Sequence, residues 1–126
     1  MLNCEIYTIS IIYNGIINET MEGIYKSKYS LNKKTEYIIA TQFEALSARK
    51  VFPCFDEPNF KAIFELTLCV PQNKIALSNT PVKNINNTND TKKIIEFMPT
   101  PKMSTYLLAF AIGDFEYVES ITQHDT

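Results

Sequence analysis

Tryptophan is absent from the 126-residue chain, glycine occurs three times and histidine once. Each scarcity excludes a chemistry. His124, near the C-terminus, leaves no pair of histidines for the His/His/acid set of a zinc hydrolase, and no H-E-x-x-H is present. A Cys-His or Ser-His nucleophile would depend on that same residue, which no predicted strand holds in place. So few glycines form no phosphate-cradling loop. Without tryptophan, no aromatic platform for a carbohydrate is evident. The longest uninterrupted apolar run is Tyr106 to Ile112, seven residues, against the ~20 that cross a bilayer as a helix. A net charge of -2 and a pI near 5.4 provide no basic footprint, so neither nucleic acid nor an anionic membrane is expected as a partner.

The N-terminal "MLNCEIYTISII" has no basic n-region and carries Glu5; no signal peptide is expected there, and the expectation is a cytoplasmic chain. Cys4, Cys54 and Cys69 are odd in number and widely spaced. They make neither a disulfide framework nor a zinc knuckle, and are expected to be free, mostly buried thiols. The sequons at Asn18, Asn86 and Asn89 matter only for a secreted chain.

What is present has the proportions of a globular protein, with 45% hydrophobic and 21% charged residues, and a length for one domain at most. The dominant period is two. In "AIFELTLCVP" Phe64, Leu66, Leu68 and Val70 share one face and Glu65, Thr67 and Cys69 the other, until Pro71 stops the ladder. Further strands are expected in "CEIYTISIIYNG" (4–15), which ends on the turn signal Asn14-Gly15, in "TEYIIATQF" (35–43) and in "KKIIEFM" (92–98). "STYLLAFAIGDFEYVES" (104–120) reads as a strand that changes pattern at Gly113, where a bulge or bend is expected. "KNINNTNDTKK" (83–93) reads as a polar loop. One short helix is expected near residues 45–51, ended by Pro53. The fold class is all-β, a sandwich with one small helix.

The chemistry concentrates in "TQFEALSARKVFPCFDEPNFKA", residues 41–62, which holds Arg49, the only arginine. Asp56 and Glu57 flank a proline turn, where acids commonly cap or pair with a cation; Arg49 and Lys61 are the available partners. Gln42 and Glu44 fall on one face of the strand end, opposite Phe43. Such a pair can accept hydrogen bonds from an ammonium group and an amide. Glu44 can equally support the N-terminus of the short helix through its dipole. Periodicity alone leaves both roles open.

The stretch from Thr41 to Pro71 closely resembles the N-terminal domain of the aminopeptidase N and puromycin-sensitive aminopeptidase family, which are gluzincin zinc exopeptidases. "GIYKSKY" (23–29), "ALSNTPV" (76–82) and "PKMSTYLLAFAIGDFEYVE" (101–119) agree in the family's order. The resemblance covers roughly residues 5 to 119. It implies that residues 1–126 are part of a saddle-like β domain packed over a thermolysin-like catalytic domain. It implies that Gln42 lies beside the first residue of a peptide substrate and that Glu44 holds the substrate's free α-ammonium group. The implied partners are a peptide N-terminus and a catalytic domain, joined in cis or supplied in trans.

The family's G-x-M-E-N and H-E-x-x-H motifs do not occur in these 126 residues. In that family zinc polarises the scissile carbonyl and its water, and a glutamate serves as general base. No catalytic residue, metal ligand or cofactor is therefore expected in this chain, which should be inactive alone, the zinc belonging to the catalytic domain. The alternative expectation is a stand-alone β-sandwich binding or scaffolding module without catalysis.

Overall fold

A computed structural model of the chain describes residues 6–120. Among the described residues, seven strands form two antiparallel sheets. The first contains β1 (Gly23–Leu31), β2 (Lys34–Gln42), β4 (Ile75–Ser78) and β7 (Phe110–Gly113), in the order β1-β2-β7-β4. The second contains β3 (Thr67–Pro71), β5 (Val82–Asn87) and β6 (Lys92–Phe97), in the order β3-β6-β5. Almost no helix is present among the described residues, and the all-β sandwich expected from the period of two is what the chain forms.

Between the sheets, Val70, Ala76, Ile95 and Phe97 make one buried cluster, with Leu66, Leu68 and Ile112 packed against it. Phe43, Ala48 and Leu108 make a second, joined by Phe52, Phe64 and Phe110. The alternation read in 64–70 holds. Val70 is buried and Phe64, Leu66 and Leu68 are half-buried, while Glu65, Thr67 and Cys69 face solvent. This exposes the Cys69 thiol and corrects the expectation that the cysteines are mostly buried; Cys54 is half-buried. Cys4 and His124 lie outside the described residues.

Several elements differ from the sequence reading. The helix near 45–51 is a single 3-10 turn, Ala48–Lys50, preceded by a tight turn. Pro53 disfavours helix at Phe52, and the Arg49 N–H donates to the Asp56 carboxylate in place of a helical carbonyl. No strand forms over 6–17, and no turn forms at Asn14-Gly15. These residues are β-prone, yet no neighbouring strand completes a ladder for them; pairing begins only at Asn18, which bridges Tyr25 in parallel. Residues 83–93 are not a loop but most of a hairpin, because β5 gains its hydrogen bonds from β6 while every residue of β5 stays exposed. Its turn is set by Asn89, whose Oδ1 accepts from the Thr91 and Lys92 N–H groups, both at 2.9 Å. The 104–120 segment contains a 3-10 turn (Thr105–Leu107) and only four residues of strand, with a bend at Asp114 after Gly113.

Candidate functional site

β2 delivers the chemical segment. β1 pairs with it along its full length, ending with Gly23 opposite Gln42. Thr41 fastens the other side: its Oγ1 accepts the Phe110 N–H at 3.0 Å and donates to the Phe110 carbonyl at 3.3 Å. The end of β2 is thus held between β1 and β7.

Phe43 then turns inward, 1% exposed, with its ring edge-on to Phe52 at 5.7 Å. Gln42 and Glu44, on either side of it, are exposed. The Glu44–Ala45 peptide is cis, and the Ser47 N–H closes the turn onto the Phe43 carbonyl at 2.9 Å. Ser47 and Ala48 are buried again. Glu44 therefore projects from a short loop whose two feet, Phe43 and Ser47–Ala48, are anchored in the core. Among the described residues, neither Gln42 nor Glu44 has a hydrogen-bonding or ionic side-chain partner. Glu44 does not serve as a helix-dipole acid, since no acidic residue occupies the first turn of the 3-10 segment.

The loop is braced from outside as well. Glu22 Oε1 accepts from Ser47 Oγ at 3.0 Å and from the Lys50 ammonium. The Lys50 hydrogen bond foremost, with Ser47 second, holds the Glu22 carboxyl below its usual range. Gly23, at φ +67°, lets β1 start against this brace; a Cβ there would meet Val51 Cγ2 at 3.3 Å. Glu22 is separated from Ser47 and Lys50 by more than twenty residues, and no sequence signal marks the contact.

Asp56 resolves the question of its partner in favour of Arg49. The carboxylate Oδ2 accepts both the Arg49 backbone N–H at 3.0 Å and Nε at 3.1 Å, while Nη2 donates to the Asp56 carbonyl at 3.0 Å. The Asp56 side chain is 1% exposed and sits at φ +51°, a conformation aspartate tolerates better than most residues. Glu57 lies farther out, its Oε1 3.6 Å from Nη2. Lys61 is exposed and takes no part. Cys54, within this clamped loop, has its thiol pKa pushed up by burial and next by the Asp56 charge, the opposite of what a nucleophile requires. Phe55 and Phe60 stack on the outside, ring centres 5.1 Å apart; sequence reasoning did not single them out.

Among the described residues, no group of three His, Cys, Asp or Glu side chains converges to hold a metal ion. No donor set among the described residues fits zinc. No described helix is long and apolar enough to cross a membrane.

Residues 1–107 match the family profile described as the peptidase M1 N-terminal domain. The chain belongs to this family. It is 47% identical over 119 residues to aminopeptidase M1-A of Oryza sativa subsp. japonica, covering 94% of this chain and 13% of that protein. It is 47% identical over 114 residues to the alanine/arginine aminopeptidase of Saccharomyces cerevisiae, covering 89% of this chain and 13% of that protein. Against aminopeptidase Ey of Gallus gallus the identity is 40% over 119 residues, 92% of this chain and 12% of that protein. This M1 N-terminal domain thus spans about an eighth of the length of the relatives it matches.

Proposed function

We propose that this M1 N-terminal domain supplies the amine-recognising edge of an aminopeptidase active site, with Glu44 receiving the free α-ammonium group of a peptide and Gln42 accepting a hydrogen bond from its first residue. The observation that carries this reading is the exposed Glu44 carboxylate, partnerless among the described residues, on a loop fixed in the core at both feet. A structural acid on such a loop would be expected to pair with a neighbouring cation, as Glu22 and Asp56 do.

The physics suits an exopeptidase. At ~4 Å a carboxylate and an ammonium attract by about 4 kcal/mol at an effective dielectric near 20, before desolvation is subtracted. A peptide bound by an internal segment brings no cation, and leaves the carboxylate desolvated without a partner when the cleft closes. Selection for an N-terminus follows from that difference. Zinc, the general base and the rest of the cleft would come from a catalytic domain of the same protein or from a separate chain.

The test is Glu44→Ala in the full-length aminopeptidase that carries this domain. The expected outcome is a Michaelis constant for aminoacyl substrates raised by one to two orders of magnitude, as for roughly 1.4–3 kcal/mol of binding, with zinc content unchanged. Lost zinc, or unaltered kinetics, would make Glu44 a structural residue.

A further inference from the structure

Glycine is scarce in this chain, and one of its three copies follows an asparagine: Asn14-Gly15 is the sole Asn-Gly step. No turn uses it. Both residues are exposed, and among the described residues neither has a hydrogen-bonding partner on its side chain or its backbone. A Cβ built on Gly15 would meet nothing within 4 Å. The Asn14 amide, the Gly15 N–H and the space around them are all open to water.

An asparagine carries its own electrophile, because its Cγ can be reached by the backbone nitrogen of the next residue. Attack closes a five-membered imide ring. Three things ordinarily prevent it. The next N–H is tied into a hydrogen bond, the amide is held by partners, or the next side chain crowds the approach, which glycine, lacking a Cβ, does not. Other asparagines of the fold have these protections. After Asn59 and Asn73, the N–H groups of Phe60 and Lys74 donate to the Glu57 and Pro71 carbonyls, both at 3.0 Å. Asn79 engages both ends of its amide, Nδ2 donating to the Leu107 carbonyl at 2.9 Å and Oδ1 accepting the Ala109 N–H at 2.8 Å. Asn89 Oδ1 is held by the Thr91 and Lys92 N–H groups. Asn14 has none of the three.

We propose that Asn14 is a site of spontaneous covalent modification, a deamidation site whose only co-reactant is water. The Gly15 backbone nitrogen, having given its proton to hydroxide, attacks Asn14 Cγ. The N–Cγ bond forms, the Cγ–Nδ2 bond breaks, and the amide nitrogen leaves as ammonia, taking its third hydrogen from water. Water then opens the imide at one of its two carbonyls. Addition at Cγ gives aspartate; addition at the main-chain carbonyl gives isoaspartate, with the chain routed through Cγ. Either product adds one negative charge to a chain of net charge -2. The isoaspartate also lengthens the main chain by one methylene. The change falls between Tyr13, which lines the ≈ 360 Å³ cavity with Phe52, Leu108 and Phe110, and Asn18, where pairing with Tyr25 begins. The inference is independent of the aminopeptidase reading.

The test incubates the folded 126-residue chain at physiological temperature, at mildly acid and mildly alkaline pH, beside a synthetic peptide of residues 11–18. Proteolysis and mass spectrometry with electron-transfer fragmentation then locate the aspartate and the isoaspartate. Conversion at Asn14 is expected at a rate within about tenfold of the peptide's, since no local structure must open first, and rising in proportion to hydroxide. Asn59, Asn73, Asn79 and Asn89 should each be at least about tenfold slower than Asn14. Gly15→Ala should slow conversion at least about tenfold, because its Cβ crowds the attack. Asn14→Gln, whose longer side chain must close a six-membered ring, should remove it. An Asn14 that converts more slowly than this beside a reactive peptide, that does not outpace the protected asparagines, or that is indifferent to Gly15→Ala overturns the inference.

Discussion

Arg49 meets Asp56 through its backbone N–H, its Nε and, at the Asp56 carbonyl, its Nη2. Half of the arginine side chain is in water and the carboxylate is buried, so the arginine can be removed without a cavity while the carboxylate loses most of its compensation. Arg49→Ala is expected to cost about 2 kcal/mol, lowering the thermal midpoint by roughly 5–10 °C. Arg49→Lys should recover only part of this, because a single ammonium cannot reach two acceptors in the fork geometry of a guanidinium. Unchanged unfolding of Arg49→Ala would refute the clamp. Gly23→Ala tests the brace beside the site: positive φ and the Val51 contact together should cost about 1–2 kcal/mol in denaturant unfolding, whereas a neutral substitution would show that β1 adjusts freely.

Between elements, a charged network ties the first sheet to the β3–β4 turn. Lys74 Nζ lies 2.7 Å from Asp114 Oδ2 and 3.4 Å from Glu36 Oε2, and the Tyr29 hydroxyl donates to Asp114 at 3.1 Å. The hydrogen bond from Lys74, foremost, holds the Asp114 carboxyl below its usual range, and the bond to Asp114 likewise raises the Lys74 ammonium. A depressed carboxylate contributes stability that is present above its unfolded pKa and is lost as pH falls through its folded value. A raised lysine contributes stability that is present below its unfolded pKa and is lost as pH rises through its folded value. Asp114→Asn should therefore lower the thermal midpoint at neutral pH, and the deficit should vanish at acid pH below the ordinary aspartate range. A deficit independent of pH would assign the effect to packing.

The same elements show what a sequence reveals. β2, β3 and β6 were legible because a half-buried strand writes its burial into alternate positions. β5 was not: every one of its residues is exposed, and its order comes from β6 and the Asn89 turn, which leave no apolar pattern. β1 and β4 were unnoticed as strands for related reasons; β1 mixes lysines and serines with tyrosines, and β4 is four residues long. Residues 6–15 erred in the other direction, since propensity without a neighbouring strand forms no ladder.

Across the whole molecule, the second apolar cluster and the candidate site are one construction. Phe43 and Ala48 fill the core, and the intervening Glu44 is left exposed as a consequence. That Gln42 and Glu44 flank an inward Phe43 was readable from the period of the strand. The brace on the loop was not, because it depends on Glu22 and Gly23, which the chain brings in at the start of a different strand. Arg49 as partner of Asp56 was one of two options in the sequence, and distance alone chose between them. Family membership adds the rest of the proposal: a domain covering about an eighth of its relatives' length presents an acid that has no hydrogen-bonding or ionic partner among the described residues.

The most direct test compares the full-length aminopeptidase with its Glu44→Gln variant on one aminoacyl substrate and on the same substrate N-acetylated. If Glu44 receives the α-ammonium group, kcat/KM for the free-amine substrate falls at least tenfold, corresponding to about 1.4 kcal/mol, while the slow hydrolysis of the acetylated form is unchanged or rises. Equal losses on both substrates, or no loss on either, would contradict amine recognition by Glu44.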